Sequence, residues 1–171
     1  QGFAQGRGAS AQEKDAVAGS KNIFVTDAGS NYYIGGQVLQ FNKGQREITS
    51  GCFAAMGLSI PLAIGSSIAD KESQILAVTG DGSLELNVQE LKTMSHYNLN
   101  IKLFVINNGG YVSMRNWQDG YFEGRRIESE DETGTGTLDL LKIASAFDLK
   151  HERIEKSAEI DSKLTEILKF A

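Results

Sequence analysis

The chain has 171 residues, 40% hydrophobic and 23% charged, with a formal net charge of -5. This is the composition of an ordinary globular domain, and its acidic balance weighs against nucleic acid or an anionic membrane as a partner. The single cysteine, Cys52, offers no disulfide framework or zinc pattern and fits a reducing cytoplasm; no apolar run approaches the ~20 residues of a membrane span.

In chain order, "QGFAQGRGAS" is polar and glycine-rich. Residues 1–20 read as a linker or expression remnant, and 21–171 as one domain of a longer protein. "NIFVTDAG" is a short apolar run closed by a turn signal, the pattern of a buried parallel strand. "QILAVTGDG" and "IKLFVINNGG" repeat it. Strands are therefore predicted near 22–27, 75–80 and 101–106. "AAMGLSIPLAIGSSIA" (54–69) is apolar nearly all round and predicts a buried helix. Its Pro61 implies a kink or a helix start there, because proline is costly inside a helix. "LELNVQELKTMSHYN" (84–98) places Leu84, Val88, Leu91 and Met94 at helical spacing. Helices are also predicted in "TLDLLKIASAFD" (137–148) and "SAEIDSKLTEILKF" (157–170), with a short strand in "HERI" (151–154). "ESEDETGTGT" (128–137) reads as a solvated loop or as an ordered lid over a site. Strands alternating with helices predict an α/β fold: a doubly wound parallel sheet with helices on both faces.

Parallel strands joined by a right-handed crossover end on the same edge of the sheet. Asp81 follows one predicted strand and Asn108 the next, 27 positions on, so both should reach the carboxyl edge, where open sheets bind ligands. A carboxylate and an amide carbonyl are hard oxygen donors, suited to a magnesium ion that leaves its other positions to water and phosphate oxygens. Gly80 and Gly82 clear space for an anion against the backbone, and Ser83 adds a hydroxyl beside a helix start.

"GDGS" (80–83) and "NN" (107–108), 24 residues apart, resemble the signature of thiamine diphosphate enzymes, and residues 22–169 resemble their diphosphate-binding domain. "TSGCFAAMG", "NVQEL" and "NWQDGYFEGR" are most similar to the acetolactate synthase family. The resemblance implies that Asp81, Asn108 and the Gly110 carbonyl hold Mg²⁺. It implies that Gly29, Ser30, Asn31, Gly82 and Ser83 contact the diphosphate of thiamine diphosphate. Met56 would prop the bent cofactor, the Ala54 carbonyl would accept from its aminopyrimidine, and Tyr111 would complete the cofactor site. Ser113 and Trp117 fall beside the substrate, a 2-keto acid.

Two departures stand out. Ser30-Asn31 occupy the place of the family's usual Gln-His, and Val112-Ser113 the place of its Gly-Met, which bears on which keto acid fits. The family's activating Glu belongs to a separate pyrimidine-binding domain, and no segment here resembles it. No residue of this chain is therefore assigned a catalytic role. The resemblance implies the carboxyl-terminal third of a decarboxylase or carboligase, a homodimer or tetramer whose pyrimidine-binding domain comes from a second subunit. A benzoylformate or oxalyl-CoA decarboxylase-like lyase, or a non-catalytic cofactor-binding module, are the alternatives. The isolated chain is expected to be inactive, to bind cofactor weakly, and to dimerise through apolar surface around Phe53, Met56 and Leu58. Tyr111 and Trp117 also read as core aromatics, His96 and His151 as structural, and Cys52 as a small buried filler.

Overall fold

The computed structural model describes residues 21–169, so residues 1–20, read from sequence as a linker, lie outside the described residues. Four parallel strands form one sheet in the order β2-β1-β3-β4: β1 (Asn22–Thr26), β2 (Arg46–Thr49), β3 (Gln74–Gly80) and β4 (Ile101–Ile106). β3 pairs with β1 from Asn22↔Gln74 to Thr26↔Val78, and with β4 from Ile75↔Ile101 to Gly80↔Ile106. The three predicted strands are thus parallel neighbours, and Asp81 and Asn108 do leave the sheet at one edge.

The helices are α1 (Ser30–Val38), α2 (Ser59–Ala69), α3 (Asp81–Glu85), α4 (Leu91–His96), α5 (Val112–Tyr121), α6 (Leu140–Ala146) and α7 (Ile160–Lys169). From β1 the chain steps outward to β2, then crosses back over β1 to β3. With right-handed crossovers, this reversal sends α1 to one face and α2 and α4 to the other. It also opens the carboxyl edge between β1 and β3, the switch point at which doubly wound sheets bind ligands.

The core lies under α2 and α4. Ile23, Val25, Ile75 and Ala77 from the strands meet Ile60 and Ala63 of α2 and Leu91 and Met94 of α4. Each fully buried aliphatic side chain there stabilises the fold by about 1.5–3 kcal/mol. Leu84, Leu91 and Met94 are buried, as their spacing predicts.

Several elements differ from the sequence reading. The 54–69 helix begins only at Ser59, because Gly57 takes φ 81° and breaks the path before it. Pro61 then falls in the first turn, where an N–H has no helical acceptor and proline is tolerated. The predicted 84–98 helix is split into α3, a 3₁₀ turn (Val88–Glu90) and α4. Asn87 breaks it, leaving helical geometry (φ -139°) to donate its side-chain N–H to the Gly57 carbonyl at 2.6 Å. "HERI" forms no strand: residues 151–155 carry no regular structure, and Arg153 and Glu155 are spent on a surface ion pair at 2.9 Å. The 137–148 helix shortens to α6, capped by Asp139, whose side chain accepts the Lys142 N–H. The 157–170 helix is a 3₁₀ turn leading into α7, its last predicted residue lying outside the described set. α1 and β2 have no counterpart in the sequence reading.

Candidate functional site

Asp81 follows β3 directly and is 3% exposed. Its Oδ1 accepts the Gly82 N–H at 2.9 Å, and its Oδ2 accepts the N–H groups of Gly109 and Gly110 at 2.8 and 2.9 Å. Gly109 and Gly110 have φ of 75° and 105°, backbone that glycine alone enters freely. That geometry wraps the loop after β4 around the carboxylate.

The terminal amide atom of Asn108 facing this cluster lies 3.2 Å from Asp81 Oδ1 and 2.9 Å from the Gly110 carbonyl oxygen. With NH₂ turned inward, Asn108 donates to both. With its carbonyl turned inward, oxygens from Asp81, Asn108 and Gly110 converge, an arrangement that needs a cation between them. Neighbouring ligands of an octahedral magnesium with bonds of ~2.1 Å lie about 3.0 Å apart, so the donor set and its spacing fit the ion. Among the described residues no cluster of three His, Cys, Asp or Glu side chains is arranged for a metal. The fit rests on one carboxylate, one amide and one backbone carbonyl.

Across the switch point, Gly29 (φ 74°) opens α1, with Ser30 and Asn31 in its first turn. The free N–H groups of such a turn suit a phosphate. Asn31 reaches toward β3, its Nδ2 being 3.6 Å from where a Gly80 Cβ would stand. Ser113 Oγ lies 3.5 Å from the equivalent point on Gly29. The structure therefore places Ser113 at the mouth of α1.

Gly82 has a packing role that the sequence reading missed. A Cβ there would fall 2.3 Å from Tyr111 Cε1, so the glycine makes room for a ring as well as for an anion. Ser83 is buried within α3.

Ala54 and Met56 lie on the loop between β2 and α2. Ala54 takes φ 46°, and Met56 is partly exposed. Two side chains hold this loop. Asn87 takes its Gly57 carbonyl, and Asp27, buried at the end of β1, accepts the N–H groups of Gly57 and Ser59 at 2.9 and 3.1 Å. Asp27 also accepts from Ala28 N–H and Thr79 Oγ. A side chain on Gly57 would meet Asn87 Nδ2 at 2.8 Å. Phe53 projects from the loop, 91% exposed. Cys52, expected as buried filler, is exposed because it sits on this projecting loop.

Sequence reasoning also missed Arg115. Its Nη2 donates to the Asn108 carbonyl at 2.9 Å, and its Nη1 to the carbonyls of Gly109 and Ser129 at 2.6 and 3.1 Å. Its position in the first turn of α5 was the available signal: a cation there opposes the helix dipole. Residues 128–137 are hydrogen-bonded among themselves and, through Ser129, to Tyr111 and Arg115, while most of the segment stays exposed or half-buried. Ser129 is fully buried, its Oγ donates to Gln118 at 2.7 Å, and its carbonyl accepts the Tyr111 N–H. Glu130 opens the 3₁₀ turn Asp131–Thr133 with a reciprocal capping box. Arg126 pairs with both Asp119 and Glu130, which holds the Asp119 carboxyl below its usual range, chiefly through the Arg126 hydrogen bond. A hollow of about 280 Å³ between Asn108, Gly109, Arg115 and residues 130–132 opens beside the cluster. A second, apolar hollow between Ile68, Lys71, Tyr97 and Leu99 lies toward the opposite edge.

Trp117 is 58% exposed and stacks on Tyr121 with ring centroids 4.6 Å apart, so it is not a core aromatic. His96 meets the Tyr97 ring, and His151 Nδ1 lies 2.9 Å from the Leu149 carbonyl.

A parallel α/β sheet whose strand order reverses between β1 and β3, with polar loops gathered at that point of its carboxyl edge, defines the class of doubly wound domains that take a ligand at the switch point. Residues 27–171 match the family described as "Thiamine pyrophosphate enzyme, C-terminal TPP binding domain", and the chain belongs to that family. It is 33% identical over 148 residues to the acetolactate synthase large subunit of Cyanidium caldarium. Over the same length it is 32% identical to the acetolactate synthase isozyme 3 large subunit of Escherichia coli K12 and 31% to the large subunit of Buchnera aphidicola subsp. Schizaphis graminum. Each match covers 86% of this chain and 25% of the relative, so the chain spans about a quarter of their length. Among the described residues no helix is long and apolar enough to cross a membrane.

Proposed function

We propose that this chain is the cofactor-anchoring domain of a thiamine diphosphate-dependent 2-keto acid decarboxylase or carboligase of the acetolactate synthase type. The observation that carries this reading is the Asn108 side-chain amide at the switch point, 3.2 Å from Asp81 Oδ1 and 2.9 Å from the Gly110 carbonyl oxygen, close to the spacing of neighbouring magnesium ligands. In it, these three hold Mg²⁺, while Gly29, Ser30, Asn31, Gly82 and Ser83 receive the diphosphate. When bound, thiamine diphosphate supplies the nucleophilic carbon and the electron sink needed to decarboxylate a 2-keto acid.

The protein's own work is positional. Asp81 fixes the metal and, through Gly109 and Gly110, the shape of the metal loop. Asp27 and Asn87 hold the loop that presents Met56 and the Ala54 carbonyl toward the rest of the cofactor. Ser113 and Trp117, both accessible, border the space for the keto acid. Exposed Phe53 and Met56 are the surface offered to a pyrimidine-binding domain, which brings the activating Glu from a second subunit. The 171-residue chain alone should bind cofactor weakly, self-associate and turn over no pyruvate.

The test is calorimetry on the intact enzyme. Asp81→Ala should abolish Mg²⁺-dependent binding of thiamine diphosphate, and unchanged affinity in that variant would refute the assignment.

A further inference from the structure

The metal loop is held from two sides. The N–H groups of Gly109 and Gly110 end on the Asp81 carboxylate, and the carbonyls of Asn108 and Gly109 end on the Arg115 guanidinium. Each of the two peptide groups, 108–109 and 109–110, is therefore clamped at both its hydrogen and its oxygen. We infer that Arg115 is a positioning residue for the cofactor's metal, fixing the loop so that the Asn108 side chain and the Gly110 carbonyl point at the ion. The inference rests on reading Asp81, Asn108 and Gly110 as the magnesium ligands.

Glycines at φ 75° and 105° resist peptide rotation poorly by themselves. Rotating either peptide would break a charge-assisted hydrogen bond at each end, and these are about twice as strong as neutral ones. The third carbonyl held by Arg115, that of Ser129, lies 2.7 Å from where a Gly110 Cβ would be. Arg115 thus seats the 129–133 turn directly against the ligand residue. Its side chain is only 14% exposed, and its Nε lies 3.8 Å from Glu130 Oε2, which partly balances the charge. A planar fork reaches three carbonyls at set angles; a lysine ammonium, a flexible point charge, does not.

The experiment uses Mn²⁺ as a paramagnetic probe in the intact enzyme with thiamine diphosphate, reading free Mn²⁺ by electron paramagnetic resonance. Arg115→Ala should weaken Mn²⁺ retention about 10- to 100-fold, the effect usual for groups that orient metal ligands. Arg115→Lys should weaken it about threefold or more despite keeping the charge. In the cofactor-free protein, Arg115→Ala should also speed amide exchange at Gly109 and Gly110 while β3 and β4 exchange as before. Wild-type Mn²⁺ affinity in folded Arg115→Ala, with Asp81→Ala losing the ion, overturns the role of Arg115 and leaves the metal site standing. Should Arg115→Ala not fold, Arg115→Lys decides by the same comparison. Wild-type Mn²⁺ binding by Asp81→Ala would overturn both readings.

Discussion

Asp27 Oδ1 accepts the Gly57 N–H at 2.9 Å, joining the end of β1 to a loop 30 residues further along the chain. Its other oxygen takes Ser59 N–H and Thr79 Oγ, both at 3.1 Å, so one buried carboxylate ties together β1, β3 and the start of α2. Asp27→Asn presents an NH₂ to groups that are themselves donors. It should cost about 3 kcal/mol, the loss of charge-assisted bonds plus an unsatisfied buried donor. Denaturant unfolding measures that loss, and limited proteolysis should show new cleavage within 51–56. An unchanged midpoint and cleavage pattern would mean that the loop is held by other means.

Asn108 lies 3.2 Å from Asp81 Oδ1, which makes its neutrality important when no cation is present. Asn108→Asp would set two carboxylates face to face and drive one pKa upward. The metal-free variant should melt below wild type near neutral pH, and Mg²⁺ should raise its melting temperature by more than it raises wild type's. Scanning calorimetry with and without Mg²⁺ reads both effects. Equal melting curves for the two metal-free proteins would show that the pair does not interact.

Gly82→Ala tests the contact with Tyr111. The added methyl would stand 2.3 Å from Tyr111 Cε1, and such overpacking costs about 1–3 kcal/mol. The backbone of α3 accepts alanine readily, so the penalty should come from the ring alone. Tyr111→Ala in the same chain should recover most of it, and a double-mutant cycle supplies the coupling energy. Additive losses would place the strain elsewhere.

Glu85 offers a pH-dependent test. Burial first, and then the charge of Asp81, hold its carboxyl above the usual range. A raised folded pKa means that the folded state binds the proton more tightly. The penalty of ionising Glu85 is absent below its unfolded pKa and grows as pH rises through the folded one. Glu85→Gln should therefore raise the melting temperature at pH 7 and leave it unchanged near pH 4. For a partly solvated charge the gain is bounded by roughly 1 kcal/mol, or about 2–4 °C. A gain of equal size at both pH values would assign the effect to packing.

The parts of this fold legible in the sequence are those whose physics is local. β1, β3 and β4 announce themselves as apolar runs closed by glycine, and their shared direction follows from the crossover rule. β2 did not: "REIT" is short and half charged, as an edge strand is. α1 contains two glycines and reads as loop, although tertiary contact holds it in helix. The break at Asn87 was hidden because periodicity records which face is buried, whereas Asn87 leaves the helix to reach a carbonyl 30 residues away. Asp81 and Asn108 stood out by spacing. Arg115 did not, since its partners are backbone carbonyls that no side-chain pattern encodes. Asp27 could have been singled out, because it follows β1 just as Asp81 follows β3.

β4 has β3 on one side and, among the described residues, no strand on the other. Its outer N–H and C=O groups form a template on which another chain could grow a sheet, the first step toward aggregation. Lys102, in the second position of this strand, puts a charge on that edge, and charged side chains are a common means by which edge strands resist such pairing. Burial lowers the pKa of Lys102, so as pH rises it loses its charge before an ordinary lysine. That charge at the edge is therefore weakest in alkaline solution.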